Sequence, residues 1–272
     1  LQCNRLNKIV GSETFNGSLF LLPKDCRLTE FTLEGISNIQ GDFQCIDYFY
    51  VKEFVMPFIR VAGDMTIALN SGSVNTAAEI EFPKLQEIGG TLTLGTNRNA
   101  NNITFPLLKK ILGSCSVTTY KLKNDIEFTN LESIGTDGAD AQIKFEIEAT
   151  NILCPKLKTI NGKFDIATSS FMFDMEVDKV SYPNVESISE NLSITCPYSD
   201  FGSNGILSID FSGLKSAKGI SISGQGDVTD FSSFKYLFEN NVLTGESQWS
   251  VKECGYNPTF QEMKDGKYKL AE

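Results

Sequence analysis

A fifteen-residue pattern that recurs along most of the chain constrains the fold more than any other feature. The run from Ile80 to Leu94 (IEFPKLQEIGGTLTL) returns at Ile103 (ITFPLLKKILGSCSV), Ile152 (ILCPKLKTINGKFDI) and Val180 (VSYPNVESISENLSI), and weaker copies surround these. The position of Phe82 marks eight copies, at Leu33, Met56, Phe82, Phe105, Phe128, Cys154, Tyr182 and Phe211. Neighbouring copies lie 23 to 29 residues apart. Self-similarity at such a period is typical of a solenoid.

Each copy has the pattern of short β-strands. Apolar residues alternate with polar ones, so that Leu92 and Leu94 are expected to point inward and Thr93 outward. The proline after the first apolar pair cannot donate to a sheet and favours a corner. We therefore expect two short strands joined by a bend in each copy, stacked about 4.8 Å apart on the next copy. The prediction is a mainly β protein, a right-handed β-helix of about eight coils.

The repeats continue without a linker, which predicts one structural domain with three parts. Residues 1–27 are expected to form an N-terminal cap, residues 28–223 the solenoid and residues 224–272 a C-terminal cap. Caps are expected because the open strand edges of a solenoid invite aggregation.

The C-terminal cap has recognisable elements. Asp230 is a candidate N-cap for a short helix over 231–238, and residues 248–253 are a candidate edge strand. A second helix is expected to begin at 257–259 and to end at Gly266.

The amino-acid composition excludes several functional classes. The chain has no histidine, which excludes imidazole bases and zinc sites with a histidine ligand. Its net charge of −10 repels nucleic acid. Seven cysteines show no metal-ligand spacing, and Cys115 and Cys154 replace inward apolar residues of the repeat, so both are predicted to be buried free thiols.

Two acidic groups were weighed as calcium or acid/base sites. Asp174, Glu176 and Asp178 share one face of a predicted strand, and Asp137 and Asp140 lie in a predicted turn. An exposed strand face explains the first group better, while turn chemistry explains the second about as well and no EF-hand register follows it. No metal, cofactor or catalytic residue is therefore predicted.

A β-helical carbohydrate-active enzyme is the alternative that a solenoid raises. All four arginines (Arg5, Arg27, Arg60 and Arg98) lie far in sequence from the Asp174 group, which leaves that group without a basic partner. Trp249 and Tyr256 suggest a sugar-stacking surface, but packing within the cap accounts for them better. We therefore predict that the protein is not an enzyme.

The repeat, above all FPKLQEIGGTLTLGTN at 82–97, resembles the receptor L domain, the leucine-rich β-helix of receptor ectodomains, and similar repeats of fungal cell-wall and Bacteroidetes surface proteins. The resemblance covers about residues 28–223. The tail at 255–268 resembles the closing segment of secreted Bacteroidetes proteins. Unlike the receptors, the chain has no cysteine-rich region and no apolar run long enough to span a membrane. The resemblance implies an extracellular or cell-surface recognition or adhesion module that binds a protein or glycan without catalysis.

The resemblance also implies a disulfide between Cys3 and Cys26, since receptor L domains close this end with one; two reduced, packed thiols are the alternative. Because the chain begins at Leu1, we expect an upstream segment, which could carry an export signal or a lipid anchor. An envelope structural protein without a discrete ligand is the other functional class that stays open. Binding is expected on an exposed sheet face or on inserted loops, at 70–77, 96–101, 136–141, 168–178 and 198–205.

Overall fold

The computed structural model describes most of the chain, namely residues 8–21, 32–46, 53–69, 78–96, 100–118, 124–138, 141–147, 151–168, 179–196, 208–226 and 228–271. Over these residues the protein is a mainly β solenoid of about seven turns. Parallel strands stack on three faces. One face is a sheet of ten strands and the second a sheet of eight, while the third is divided into sheets of two, five and two strands.

Eight successive sets of three strands visit the three faces in order. They are β1–β3 (Lys8–Val10, Thr14–Phe15, Leu19–Leu21), β4–β6 (Thr32–Glu34, Asn38–Ile39, Phe43–Ile46), β7–β9 (Glu53–Val55, Arg60–Val61, Met65–Leu69), β10–β12 (Ala78–Glu81, Glu87–Ile88, Leu92–Thr96), β13–β15 (Ala100–Thr104, Lys110–Ile111, Cys115–Thr118), β16–β18 (Ile126–Glu127, Ser133–Ile134, Ala141–Ile147), β19–β21 (Ile152–Leu153, Thr159–Ile160, Gly162–Thr168) and β22–β24 (Lys179–Ser181, Ser187–Ile188, Asn191–Cys196). Then follow β25 (Ser208–Asp210), β26 (Gly219–Gly226) and β27 (Trp249–Cys254).

The turn count corrects the sequence prediction, which gave eight coils where the structure has about seven turns. A turn runs from one strand to the strand stacked on it, so the eight strands of the eight-stranded sheet enclose seven turns. The last predicted copy, at Phe211, stacks its strands β25 and β26 on β22 and β24 but lacks the middle strand of a complete coil. Where its middle strand would lie, only an isolated bridge joins Ser216 to Ser187.

Each complete coil contains three strands rather than the two predicted. The additional strand is the middle one, which has only two residues, as in Glu87–Ile88. Two residues are too few to show a period of two in the sequence, but the parallel register with the coils above and below identifies the strand.

The interior is a column of like residues stacked on like residues. Phe82, Phe105 and Phe128 are buried with their ring planes almost parallel, and their centroids are 5.0 and 5.1 Å apart. This separation matches the spacing of neighbouring strands, so each ring rests on the equivalent ring of the next coil. The equivalent position in the next coil is Cys154, and Tyr182 follows it, with its hydroxyl donating to the Ile152 carbonyl at 3.0 Å.

The C-terminal end closes with the two helices that the sequence predicts, but both are shorter than the predicted 231–238 and 257–266. A 3-10 turn, Ser232–Phe234, leads into α1 (Lys235–Glu239), and Asp230 Oδ1 accepts from the Ser232 amide at 2.7 Å. The helix α2 (Phe260–Lys264) begins at a Thr259–Glu262 capping box and is followed by Gly266, whose φ of +79° favours glycine. Between the helices, β27 adds the terminal strand of the ten-stranded sheet.

Candidate functional site

The acidic groups weighed from the sequence do not form a described site. Asp174, Glu176, Asp178 and Asp140 lie outside the described residues, and Asp137 is an exposed residue of a turn. Within the described ranges, no three histidine, cysteine, aspartate or glutamate side chains lie close enough together to hold a metal ion.

The cysteines divide into two groups. Cys115 and Cys154 are fully or almost fully buried and unbonded, which confirms that they pack as apolar residues, and Cys45 behaves in the same way. Burial raises the pKa of all three thiols, which keeps them protonated and unreactive. The predicted pair, Cys3 and Cys26, lies outside the described residues.

Trp249 belongs to the packing of the cap, as the sequence reading favoured. Its ring lies 5.1 Å from Phe238 and 5.6 Å from Phe234, both in edge-on contact, and its indole N–H donates to the Pro258 carbonyl at 2.8 Å. Tyr256 is half-buried and its hydroxyl donates to the Lys267 carbonyl. These two aromatic residues therefore do not form an exposed stacking surface.

The largest regular surface in the described residues is the outer face of the ten-stranded sheet. Because successive strand residues alternate between interior and exterior, every second residue of each strand points outward. The strand register places these residues in two rows that run along the solenoid. The first row consists of Phe20, which is an exposed apolar residue, and of Gln44, Thr66, Thr93, Ser116, Lys144, Asp165, Ser193, Ser221 and Ser250. The second consists of Ile46, Ala68, Gly95, Thr118, Glu146, Ala167, Thr195, Ser223 and Lys252.

Short side chains and hydroxyl groups dominate these rows, which we call the outer rows. Neighbouring members lie one strand apart, about 4.8 Å, so the hydroxyls of the first row repeat at this interval on either side of Lys144 and Asp165. A hydroxyl both donates and accepts hydrogen bonds. The outer rows therefore form a surface of mostly short side chains that can make repeated hydrogen bonds with an extended, polar partner.

One ion pair interrupts the outer rows near their centre. Lys144 Nζ lies 2.5 Å from Glu146 Oε1, and the Thr118 hydroxyl donates to the other carboxylate oxygen at 2.8 Å. These contacts, that of Lys144 first, lower the pKa of the Glu146 carboxyl, so it is ionised at neutral pH. The charges of this pair compensate each other, and Asp165 and Lys252 are the other charged members of the outer rows.

A cleft of about 490 Å³ lies where the outer rows reach the C-terminal cap. Its lining comes from the 3-10 turn before β27, from β27, and from the segment that leads into α2 together with the start of this helix, and consists of Glu246, Trp249, Ser250, Val251, Asn257, Pro258, Thr259, Phe260 and Gln261. Ser250 is also the last member of the first outer row, so the cleft and the face are continuous.

The sequence predicts an exposed sheet face, but neither the outer rows nor the cleft. The outer rows had a signal, since Thr93 and its equivalents alternate with buried leucine and isoleucine; Thr93 is indeed exposed between buried Leu92 and Leu94. The cleft had no signal in the sequence, because its lining depends on how the cap folds back on β27.

Comparison with known proteins does not place the chain in a family. No family model, curated protein or solved structure matches it. In the described part of the chain, no helix has both the length and the apolar character needed to cross a membrane.

Proposed function

We propose that this protein is a non-catalytic recognition or adhesion module, displayed outside the cell, that binds a glycan or protein partner through the outer face of its ten-stranded sheet. The proposal keeps the resemblance of its repeats to receptor L domains and leucine-rich surface proteins. Export in an oxidising compartment, with or without a lipid anchor, is part of the same proposal.

The outer rows are the observation that carries this proposal. A solenoid needs apolar residues only on its inner side, so its outer positions are free to carry any polar side chain. Here most positions carry short hydroxyl or aliphatic side chains; the charged members are the Lys144–Glu146 pair, Asp165 and Lys252. Such a surface suits an extended ligand that lies flat and exchanges hydrogen bonds with many equal units.

The supporting experiment is a binding screen of the purified chain against glycan and protein arrays. We expect a ligand to be retained and recovered chemically unchanged. Retention of no ligand would favour an envelope structural protein, and release of shortened products would favour a carbohydrate-active enzyme.

Variants of the face then locate the binding surface. Thr93→Arg and Ser193→Arg each place a long, charged side chain in the first outer row, and should weaken binding by about tenfold or more, equivalent to about 1.4 kcal/mol. Thr159→Arg is the matched control, since Thr159 lies outside the interior on the eight-stranded sheet. Equal loss in the control would show that the ten-stranded face is not the binding surface.

A further inference from the structure

We propose that the cleft at the C-terminal cap holds the terminal unit of a neutral or cationic saccharide whose chain lies along the outer rows. This inference rests on the proposed recognition function and adds to it a ligand class and a direction of binding. The evidence for it is the set of polar groups in the cleft that make no hydrogen bond within the fold.

Several polar side chains of the cleft are already engaged in the fold. Both ends of the Asn257 amide bond the backbone of Cys254, with Oδ1 accepting from its N–H at 3.0 Å and Nδ2 donating to its carbonyl at 2.8 Å. Thr259 caps α2 through Glu262. The Gln261 amide nitrogen donates to Asp265 at 2.8 Å, which leaves its carbonyl oxygen.

The remaining polar groups are acceptors for the most part. Neither the Glu246 carboxylate nor the Ser250 hydroxyl has a hydrogen-bond partner within the described ranges, and Gln261, whose carbonyl oxygen is not used by its bond to Asp265, lines the same cleft. A carboxylate and an amide oxygen accept hydrogen bonds, whereas a serine hydroxyl can also donate. The cleft therefore fits a ligand that carries several hydroxyl or ammonium donors.

Apolar groups complete the lining. Val251, Pro258 and Phe260 lie beside the polar groups, and such a mixture suits a sugar ring, whose C–H groups and hydroxyls point in different directions. No lysine or arginine lines the cleft, its one charged residue is Glu246, and the chain has a net charge of −10. An anionic sugar would therefore be repelled, which restricts the ligand to neutral and amino sugars.

The continuity of the cleft with the outer rows gives the direction in which the saccharide chain lies. Ser250 lines the cleft and also ends the first outer row. A linear saccharide placed along this row would reach the cleft with one of its ends. The cleft would then recognise a chain end, while the outer rows bind the units that follow it.

The only tryptophan of the chain, Trp249, lines the cleft, so its fluorescence reports on binding there. We would titrate the purified chain with neutral tetrasaccharides of β-glucan, α-mannan and chitin type, a chitosan tetramer, and tetragalacturonate as the anionic probe. We expect a saturable change with a neutral or amino sugar and none with tetragalacturonate. Saturation by the anionic probe alone would overturn the inference.

Variants separate the cleft from the face. Glu246→Gln and Ser250→Ala should weaken the fluorescence-detected binding, Glu246→Gln by about tenfold because a charge-assisted hydrogen bond is lost. Glu239→Gln, on α1 and outside the cleft lining, is the control and should bind normally. If cleft variants bind normally while Thr93→Arg does not, the cleft inference is wrong and the recognition function stands. If no array ligand or probe binds, the recognition function is wrong and the inference falls with it.

Discussion

At the scale of single residues, four ionisable groups of the described interior must stay neutral. Cys45, Cys115, Cys154 and Tyr182 are buried in the apolar column, and burial raises the pKa of each side chain. In the unfolded chain a thiol ionises near pH 8.5 and a phenol near pH 10. The unfolded state therefore loses protons at a pH where the folded state keeps them.

The sign of the resulting pH dependence is fixed by these shifts. A raised folded-state pKa contributes stability that is complete below the unfolded pKa and is lost as the pH rises above it. We expect the free energy of unfolding to fall above about pH 8.5, by up to about 1.4 kcal/mol per pH unit for each ionising group. Urea unfolding between about pH 7 and pH 10 measures this slope.

Cys115→Ala tests the assignment of the slope to buried thiols. This variant should be less stable at every pH because it leaves a small cavity, but its stability should fall less steeply with pH. Parallel curves for the variant and the natural chain would show that Cys115 does not ionise on unfolding as proposed.

At the scale of elements, the end of the ten-stranded sheet shows how an exposed strand edge is protected. The Asn257 amide occupies both backbone groups of Cys254, as a neighbouring strand would. Beside it, Glu253 adopts a positive φ of 57°, and the register with β26 shifts at this point. An irregular and occupied edge cannot easily accept a further strand.

Replacing Asn257 by leucine should open this edge. The variant keeps the approximate size of the side chain but removes both hydrogen bonds, and we expect a loss of about 1 to 2 kcal/mol. Hydrogen exchange of the Cys254 amide should become faster, whereas the amides of β12 at the centre of the sheet should be unchanged. Unchanged exchange at Cys254 would mean that this amide is protected by something other than Asn257.

Elements also show where sequence reasoning succeeds. The strands at Leu92–Thr96 and its equivalents, the capping box of α2 and the inward position of Cys115 follow from local patterns, since period two and cap residues act over a few positions. The two-residue middle strands and the cleft did not follow, because neighbouring coils and the folded-back cap determine them. The outer rows could be predicted in part. The alternation of residues shows that they are exposed, but serine and threonine in a strand do not specify a ligand.

At the scale of the whole molecule, equivalent residues of successive coils stack into columns. The charged side chains of one column are therefore close enough to interact. Lys109, Glu132, Lys158, Glu186 and Lys215 form such a column, which we call the charge ladder, and each backbone N–H in it after the first donates to the carbonyl of the residue before. Charges alternate along the whole column. Lys215 and Glu186 form an ion pair at 2.8 Å, and this contact lowers the pKa of the Glu186 carboxyl and raises that of the Lys215 ammonium.

Lys158→Glu should break this alternation and destabilise the solenoid. The substitution stacks three glutamates, at 132, 158 and 186, and like charges on neighbouring coils repel. We expect a lower urea midpoint that recovers in about 1 M salt, where the screening length falls to about 3 Å. Lys163→Glu is the control, because it makes the same change in net charge on the neighbouring strand β21 but outside the charge ladder. If both variants lose stability equally, the change in net charge is the cause. If only Lys158→Glu loses stability, the alternation of charges along the charge ladder stabilises the stacked coils.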